Sequence, residues 1–284
     1  MSGVEPSALA ESRYSQDAVS WFRSEVETQL PILRPVVSRI YPWIFTPAER
    51  AYERILGSEE PFFTAALKAF RLDYQCAPSA LLNIPRTGPV ILVANHPYGG
   101  IEGLLLGAML IGIRKDLKFL ATSVAMVVPP VREFVIPVHR QGKPQRADAH
   151  DSPVRAALRW LRLGGVVVVF PAGMSANRPA PKFNLIEQPW TDGPTVMARR
   201  SGAVVVPVFL HGCDHWIFSV ASLLHPDLRY MDWIGQTLRR KRRVVRISIG
   251  KPVPREALLK QPGPKQATAY LRSLTLGLGA EAAE

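Results

Sequence analysis

Pro89-Val90-Ile91-Leu92-Val93-Ala94-Asn95-His96-Pro97-Tyr98-Gly99-Gly100-Ile101-Glu102 is the stretch from which the fold can be read. Val90 to Ala94 is a short apolar run with no polar alternation, which reads as a strand buried on both faces. Pro97 and the pair Gly99-Gly100 close the strand, and Glu102 to Ile113 follows as a helix. Strand, glycine-rich turn and helix form the repeating unit of an α/β sheet. The same alternation continues downstream. Lys118 to Thr122, Val135 to Val138, Val166 to Phe170 and Val204 to Leu210 read as strands, and Val154 to Leu163 and Pro194 to Arg200 as helices. A last strand over Val244 to Ile249 ends in Gly250-Lys251-Pro252-Val253-Pro254, and a helix covers Gln266 to Leu274. The expected fold class is α/β, a mixed β-sheet flanked by helices, with no internal repeat.

Upstream, Gln16 to Gln75 reads as helix. Val19, Phe22, Val26 and Leu30 fall at helical spacing, followed by Ala51 and Ile55 and then by Phe62 to Leu72. Pro31, Pro35, Pro42, Pro47 and Pro61 cut this region into short pieces. Residues 1–80 are therefore expected to form an N-terminal helical cap, associated with a membrane, and residues 81–284 the main domain. The small, polar residues 1–15 and the Gly/Ala/Glu tail from Gly277 to Glu284 are expected to fray.

With 284 residues, 47% of them hydrophobic and 20% charged, the chain can bury a full core, which argues against disorder. Cys76 and Cys213 lie far apart without CxxC or Cys/His ligand spacing, so both read as buried, reduced thiols. Glu5 and Glu11 stand where an export signal would carry basic and then apolar residues, pointing to a cytoplasmic protein. The longest uncharged apolar stretch, Phe119 to Val131, is shorter than the roughly 20 residues of a spanning helix.

The net charge of +12 is unevenly spread: from Arg229 to Lys260, ten Lys/Arg face only Asp232 and Glu256. At the centre is Arg239-Arg240-Lys241-Arg242-Arg243, preceded by Trp216, Phe218, Leu223, Leu224, Tyr230, Met231, Trp233 and Ile234. Such a run is either a solvated loop or a surface site. Its aromatic company favours an anionic membrane surface over nucleic acid, so the protein is expected to sit peripherally on the inner face of the membrane.

His96 stands at the carboxyl edge of a strand, where ligands and catalysts collect in α/β sheets. A histidine titrates near neutrality, and a carboxylate on its second ring nitrogen would fix its tautomer and make it a better general base. Glu102 is the nearest candidate, and Gly99-Gly100 would let the backbone bring it back. The blander alternative is that His96 bonds a loop and Glu102 only complements the helix N-terminus. Other polar groups attract weaker readings. His139 reads as a strand-end residue. His211, Asp214 and His215 read as loop packing and not as a metal site. Ser175 lacks the Gly-x-Ser-x-Gly frame of a hydrolase nucleophile.

From about Leu81 to Arg255 the sequence resembles the lysophospholipid, or PlsC-like, acyltransferases. Four blocks carry the resemblance in order: Val93-Ala94-Asn95-His96, Phe134-Val135-Ile136-Pro137-Val138-His139-Arg140, Phe170-Pro171-Ala172-Gly173, and Val205-Val206-Pro207-Val208, trailed by Ile249-Gly250-Lys251-Pro252. The resemblance implies the glycerolipid acyltransferase fold, with residues 81–284 as the acyltransferase domain. It also implies His96 and Glu102 as the catalytic pair, and Asn95, Gly99, Gly100, Arg140, Phe170, Pro171 and Gly173 as acceptor and substrate contacts. Backbone amides near Gly173 or after Gly100 would hold the oxyanion.

The implied co-substrate is acyl carrier protein or acyl-CoA, with no metal or other cofactor. Arg239, Arg240, Lys241, Arg242 and Arg243 would dock the membrane or the acidic carrier, and no nucleic-acid partner is expected. The chain departs from the family pattern twice: five residues in place of four separate His96 from the acidic residue, and Ala172 stands where the family has glutamate. These forms look like the branch that acylates lyso-aminolipids such as lyso-ornithine or lyso-glycine lipids. A 1-acylglycerol-3-phosphate acyltransferase is the alternative, and a non-catalytic membrane or nucleic-acid binder the alternative of another class.

Overall fold

The computed structural model describes residues 46–47, 50–122, 125–126, 128–138, 152–173, 188–212 and 242–280. The elements are α1 (Phe62–Ala69), β1 (Leu72–Gln75), α2 (Pro78–Leu81), β2 (Val90–Ala94), α3 (Ile101–Ile111), β3 (Leu117–Thr122), a 3-10 turn (Pro129–Phe134), β4 (Val135–Val138), α4 (Pro153–Arg162), β5 (Val166–Val169), α5 (Gly193–Ser201), β6 (Val204–Leu210), β7 (Arg243–Ile249), α6 (Arg255–Leu259) and α7 (Pro264–Ala280).

The strands form one mixed sheet in the order β1-β7-β6-β2-β5-β3-β4. β6, β2, β5, β3 and β4 run parallel, so their carboxyl ends share one edge. β7 turns antiparallel to β6, and β1 pairs parallel with β7.

β2 lies at the centre and every one of its residues is buried, as its unbroken apolar run requires. Alternation divides its side chains between two cores. Val90, Leu92 and Ala94 face a cluster built with α1 and α3, while Ile91 and Val93 face one built with α4, α5, α6 and α7. Each fully buried Val, Leu or Ile contributes about 1.5–3 kcal/mol, which anchors the turn after β2 to a rigid base. On the first face Gly107 of α3 lies against Phe63 of α1. A Cβ at Gly107 would fall 2.4 Å from that ring, so the two helices meet at this closeness only without a side chain there.

Two expectations are corrected. The helical reading of Phe62 to Leu72 ends early, because Arg71 adopts a left-handed φ of 54°. Leu72-Asp73-Tyr74-Gln75 then pairs with β7, so these residues belong to the sheet. At the other terminus α7 continues to Ala280, beyond the point where the tail was expected to fray. Of the expected N-terminal cap, residues 1–45 lie outside the described residues. Among the described residues no helix is long and apolar enough to cross a membrane.

Candidate active site

The turn from β2 to α3 is pinned at its first residue. Asn95, only 3% exposed, donates from Nδ2 to the Leu210 carbonyl at 3.0 Å and accepts the Leu210 N–H on Oδ1 at 2.7 Å. Its amide thus extends the pairing of β2 with β6 by one rung. Asn95 was expected among the substrate contacts; with both amide ends on Leu210, it instead holds the next residue in place.

That residue is His96. Its Nδ1 lies 3.0 Å from Glu102 Oε1, its side chain is 14% exposed, and its ring stacks on Phe170 with centroids 4.7 Å apart and planes inclined by 20°. Glu102 is completely buried at the second position of α3. Three backbone amides converge on its carboxylate: Tyr98 N–H at 2.6 Å and Gly99 N–H at 3.1 Å on Oε1, and Gly100 N–H at 2.8 Å on Oε2. Gly99 makes this wrapping possible with a φ of 77°, where a side chain would be strained. The extra residue between His96 and Glu102 is absorbed in that turn.

Burial by itself would push the Glu102 carboxyl up. The His96 charge and the hydrogen bonds from His96 and the Tyr98 amide outweigh it and hold the group below the usual carboxylate range. The helix N-terminus acts in the same direction. An ionised Glu102 accepts only, so His96 carries its proton on Nδ1 and donates it to Oε1. In the neutral form of the ring, Nε2 is then the nitrogen that carries the lone pair.

Tyr98 is a component that the spacing of the motif does not single out. It is 2% exposed, its hydroxyl donates to the His211 carbonyl, and the Arg243 guanidinium lies over its ring with Cζ 4.2 Å from the centroid. Gly212, with a φ of 100°, has no room for a side chain, since a Cβ would come within 2.1 Å of the tyrosine oxygen. The available signal was a large aromatic inside a Pro/Gly turn, where exposure would have been the ordinary expectation.

A sequence model of the acyltransferase family matches residues 53–269. The chain belongs to the acyltransferase family. Among its relatives are the lyso-glycine lipid O-acyltransferase of Bacteroides thetaiotaomicron, 22% identical over 73% of this chain and 76% of that protein, and its namesake in Phocaeicola vulgatus, 22% identical over 73% and 74%. A solved structure, the 1-acyl-sn-glycerophosphate (LPA) acyltransferase PlsC from Thermotoga maritima, superposes over 92% of this chain and 98% of its own at 17% identity with a TM-score of 0.48.

In this acyltransferase the Phe170-Pro171-Ala172-Gly173 segment follows β5. Phe170 packs on the His96 ring, and the Pro171 carbonyl accepts the Thr191 N–H at 2.9 Å and its hydroxyl at 3.2 Å. Gly173 has a φ of 66° and donates its N–H to the Phe170 carbonyl at 2.9 Å. The amides of Gly99, Gly100 and Gly173 are thus engaged within the protein.

His211 accepts an Arg246 N–H on Nδ1 at 3.2 Å and pairs through Nε2 with Ser248 Oγ at 2.8 Å. Burial and then the Arg246 charge lower its pKa, so it is neutral at pH 7 and donates from Nε2 to the serine. Its neighbours Cys213, Asp214 and His215 lie outside the described residues, as do His139, Arg140 and Ser175. Among the described residues no group of three or more His, Cys, Asp and Glu is placed to hold a metal ion. Cys76 is a half-buried free thiol whose pKa is raised by burial. Of the basic run, Arg239, Arg240 and Lys241 lie outside the described residues. Arg242 is exposed and pairs with Asp73 at 2.5 Å, whereas Arg243 turns inward onto Tyr98.

Proposed function

We propose that this acyltransferase moves a fatty acyl group from a thioester, acyl carrier protein or acyl-CoA, to the hydroxyl of a lyso-lipid, with His96 as general base. The observation that carries the reading is one imidazole with two unlike nitrogens. Nδ1 is tied to a buried carboxylate that is itself held by three amides, and in the neutral imidazole Nε2 is the basic nitrogen of a partly exposed ring. As the acceptor oxygen adds to the thioester carbonyl, Nε2 takes the hydroxyl proton, and Glu102 stabilises the imidazolium that forms. The tetrahedral adduct then expels the thiolate, the C–S bond breaks, and the imidazolium returns the proton to sulfur. The thioester is already activated, so the step calls for no metal and no further cofactor. General-base catalysis is worth about 10²–10⁴-fold.

The acceptor we favour is a lyso-aminolipid. Both lyso-glycine lipid O-acyltransferase relatives support it, as does Ala172 in place of a carboxylate that would attend a glycerol-containing acceptor. Arg140 is assigned to the anionic headgroup, and the basic strip from Arg239 to Arg242 to the membrane surface or the acidic carrier protein. A 1-acylglycerol-3-phosphate acceptor remains the second reading, because the same arginine would hold a phosphate. The non-catalytic alternative falls with membership of an enzyme family.

The test is transfer from acyl-ACP and acyl-CoA to lyso-glycine lipid, lyso-ornithine lipid and lysophosphatidic acid by the native protein and by His96→Ala. The variant is expected to lose at least 10²-fold in rate with its thermal melt unchanged. Transfer at the native rate by His96→Ala would overturn the mechanism.

A further inference from the structure

We infer that Phe170 is a positioning residue for the transfer step: the face of its ring fixes the plane of the His96 imidazole and stabilises the positive charge that the imidazole takes up. This rests on the reading of His96 as general base. Strand geometry brings the two rings together. β2 and β5 are parallel neighbours, with Val93 beside Val169, so both chains leave the sheet at the same edge. Alternation along β5 puts Val166 and Val168 on the face covered by α1 and α3, and Phe170, next in that series, packs against the same core. His96, just past the end of β2, meets it there, beside Glu102 of α3.

The resemblance implies Phe170 as a substrate contact; the geometry gives the face of its ring to the base. A hydrogen bond from Nδ1 to Glu102 fixes one direction in the imidazole, yet the ring can still rock about that bond. The Phe170 ring supplies the missing restraint, with centroids 4.7 Å apart and planes inclined by 20°. A neutral imidazole gains ordinary stacking from this contact. An imidazolium gains more, because a cation within about 6 Å of an aromatic centroid is drawn to the negative face of the ring. The His96 side chain is 14% exposed, so little water screens that attraction. The extra term exists only while the base holds the proton. It therefore favours the transition state over the ground state, and that difference is what raises a rate. Glu102 acts on the developing charge from the edge of the imidazole, and Phe170 from its face.

The experiment replaces Phe170 in turn by its mono-, di- and trifluorinated analogues, which keep the shape of the ring and progressively withdraw negative charge from its face. Single-turnover transfer from acyl-ACP and acyl-CoA is measured at saturating lyso-glycine lipid and, separately, lysophosphatidic acid, with acceptor KM taken from steady state. The single-turnover rate is expected to fall with each fluorine, by about threefold to thirtyfold over the series, the effect of losing a largely desolvated cation–π contact. Acceptor KM stays within about twofold, and the thermal melt stays native. Phe170→Leu keeps apolar bulk without an aromatic face and falls at least as far as the trifluorinated enzyme. If the leucine variant does not fold, the fluorinated series still decides.

A rate that is flat across the fluorinated series overturns the inference, because the charge distribution of the ring then plays no part. A raised acceptor KM with the single-turnover rate intact overturns it as well, and makes Phe170 a substrate contact. If either occurs while His96→Ala abolishes transfer, only the role of Phe170 fails. Transfer at the native rate by His96→Ala sinks the underlying reading too, since no imidazolium then forms for Phe170 to stabilise.

Discussion

The two edges of the sheet each bury a charge in a cradle of backbone polar groups, with opposite signs and opposite outcomes. At the carboxyl edge, Glu102 gathers the amides of Tyr98, Gly99 and Gly100. At the amino edge, Arg114, 6% exposed, donates to the carbonyls of Pro85 at 3.0 Å, Gly88 at 3.1 Å and Gly164 at 2.6 Å. Its remaining bonds go to Asp116, from Nε at 2.8 Å and from a terminal nitrogen at 2.6 Å. These contacts tie together the lead-ins to β2, β3 and β5.

The Arg114 network closes on itself, and each of its partners is a strand-approach carbonyl or the carboxylate two residues on. The Glu102 network leads outward to the partly exposed ring of His96. A shallow, open depression of about 430 Å³ lies beside the closed network, between Arg86, Arg114, Lys115 and Leu163. What marks the active edge is a hydrogen-bond chain that ends on a titratable imidazole.

The strongest way to break the comparison is Glu102→Gln, which keeps the shape and removes the charge. One carboxylate oxygen becomes an amide N–H₂ that cannot accept, so the His96 tautomer and part of the amide cradle are lost together. Transfer is expected to fall about 10²-fold or more, read as kcat at saturating acceptor. The same variant has a pH signature. Glu102 has a lowered pKa in the folded state, so its ionisation stabilises the fold above the ordinary carboxylate value of about 4.3. That stability is lost as pH falls through the folded value. Native enzyme should therefore shed this part of its stability in acid, and Glu102→Gln should not. Parallel acid melts for the two proteins would count against an ionised Glu102.

Arg114→Met tests the other edge. Removing the cation leaves Asp116 and three carbonyls without their donor. Breaking a buried pair costs about 3–5 kcal/mol. Asp116 is 42% exposed and can rehydrate, which places the loss near 3 kcal/mol, or roughly 6–12 °C in Tm. Below the melt, KM and kcat should stay at native values. A selective loss of kcat in this variant would show that the two edges are coupled.

How much of this was legible in the chain depends on the range of each interaction. Val90 to Ala94 declared itself by an unbroken apolar run, and the His96 turn by its Pro and Gly residues, because both signals are local. The pairing of His96 with Glu102 depends on the left-handed Gly99, which lets a displaced carboxylate reach the ring. Leu72 to Gln75 escaped notice as a strand because its partner β7 begins at Arg243, and four residues carry little periodicity of their own. The inward turn of Arg243 was hidden for a similar reason. Within five consecutive basic residues, nothing local distinguishes the one that strand alternation will send to the core face.

Asn95 sharpens the comparison most finely, because it sits at the catalytic edge yet bonds as the structural edge does. Both ends of its amide serve Leu210, 115 residues away, so a residue beside the base works as a fastening between β2 and β6. Asn95→Ala would leave the buried Leu210 N–H and carbonyl without partners, at about 1–3 kcal/mol. Because His96 is the next residue, loosening that rung also widens the range of positions the imidazole samples. The expected result is a Tm lowered by a few degrees, with kcat reduced several-fold and acceptor KM within about twofold, measured on lyso-glycine lipid. A raised KM with kcat and Tm intact would return Asn95 to the substrate contacts, and the catalytic edge would then begin one residue earlier than the hydrogen bonds place it.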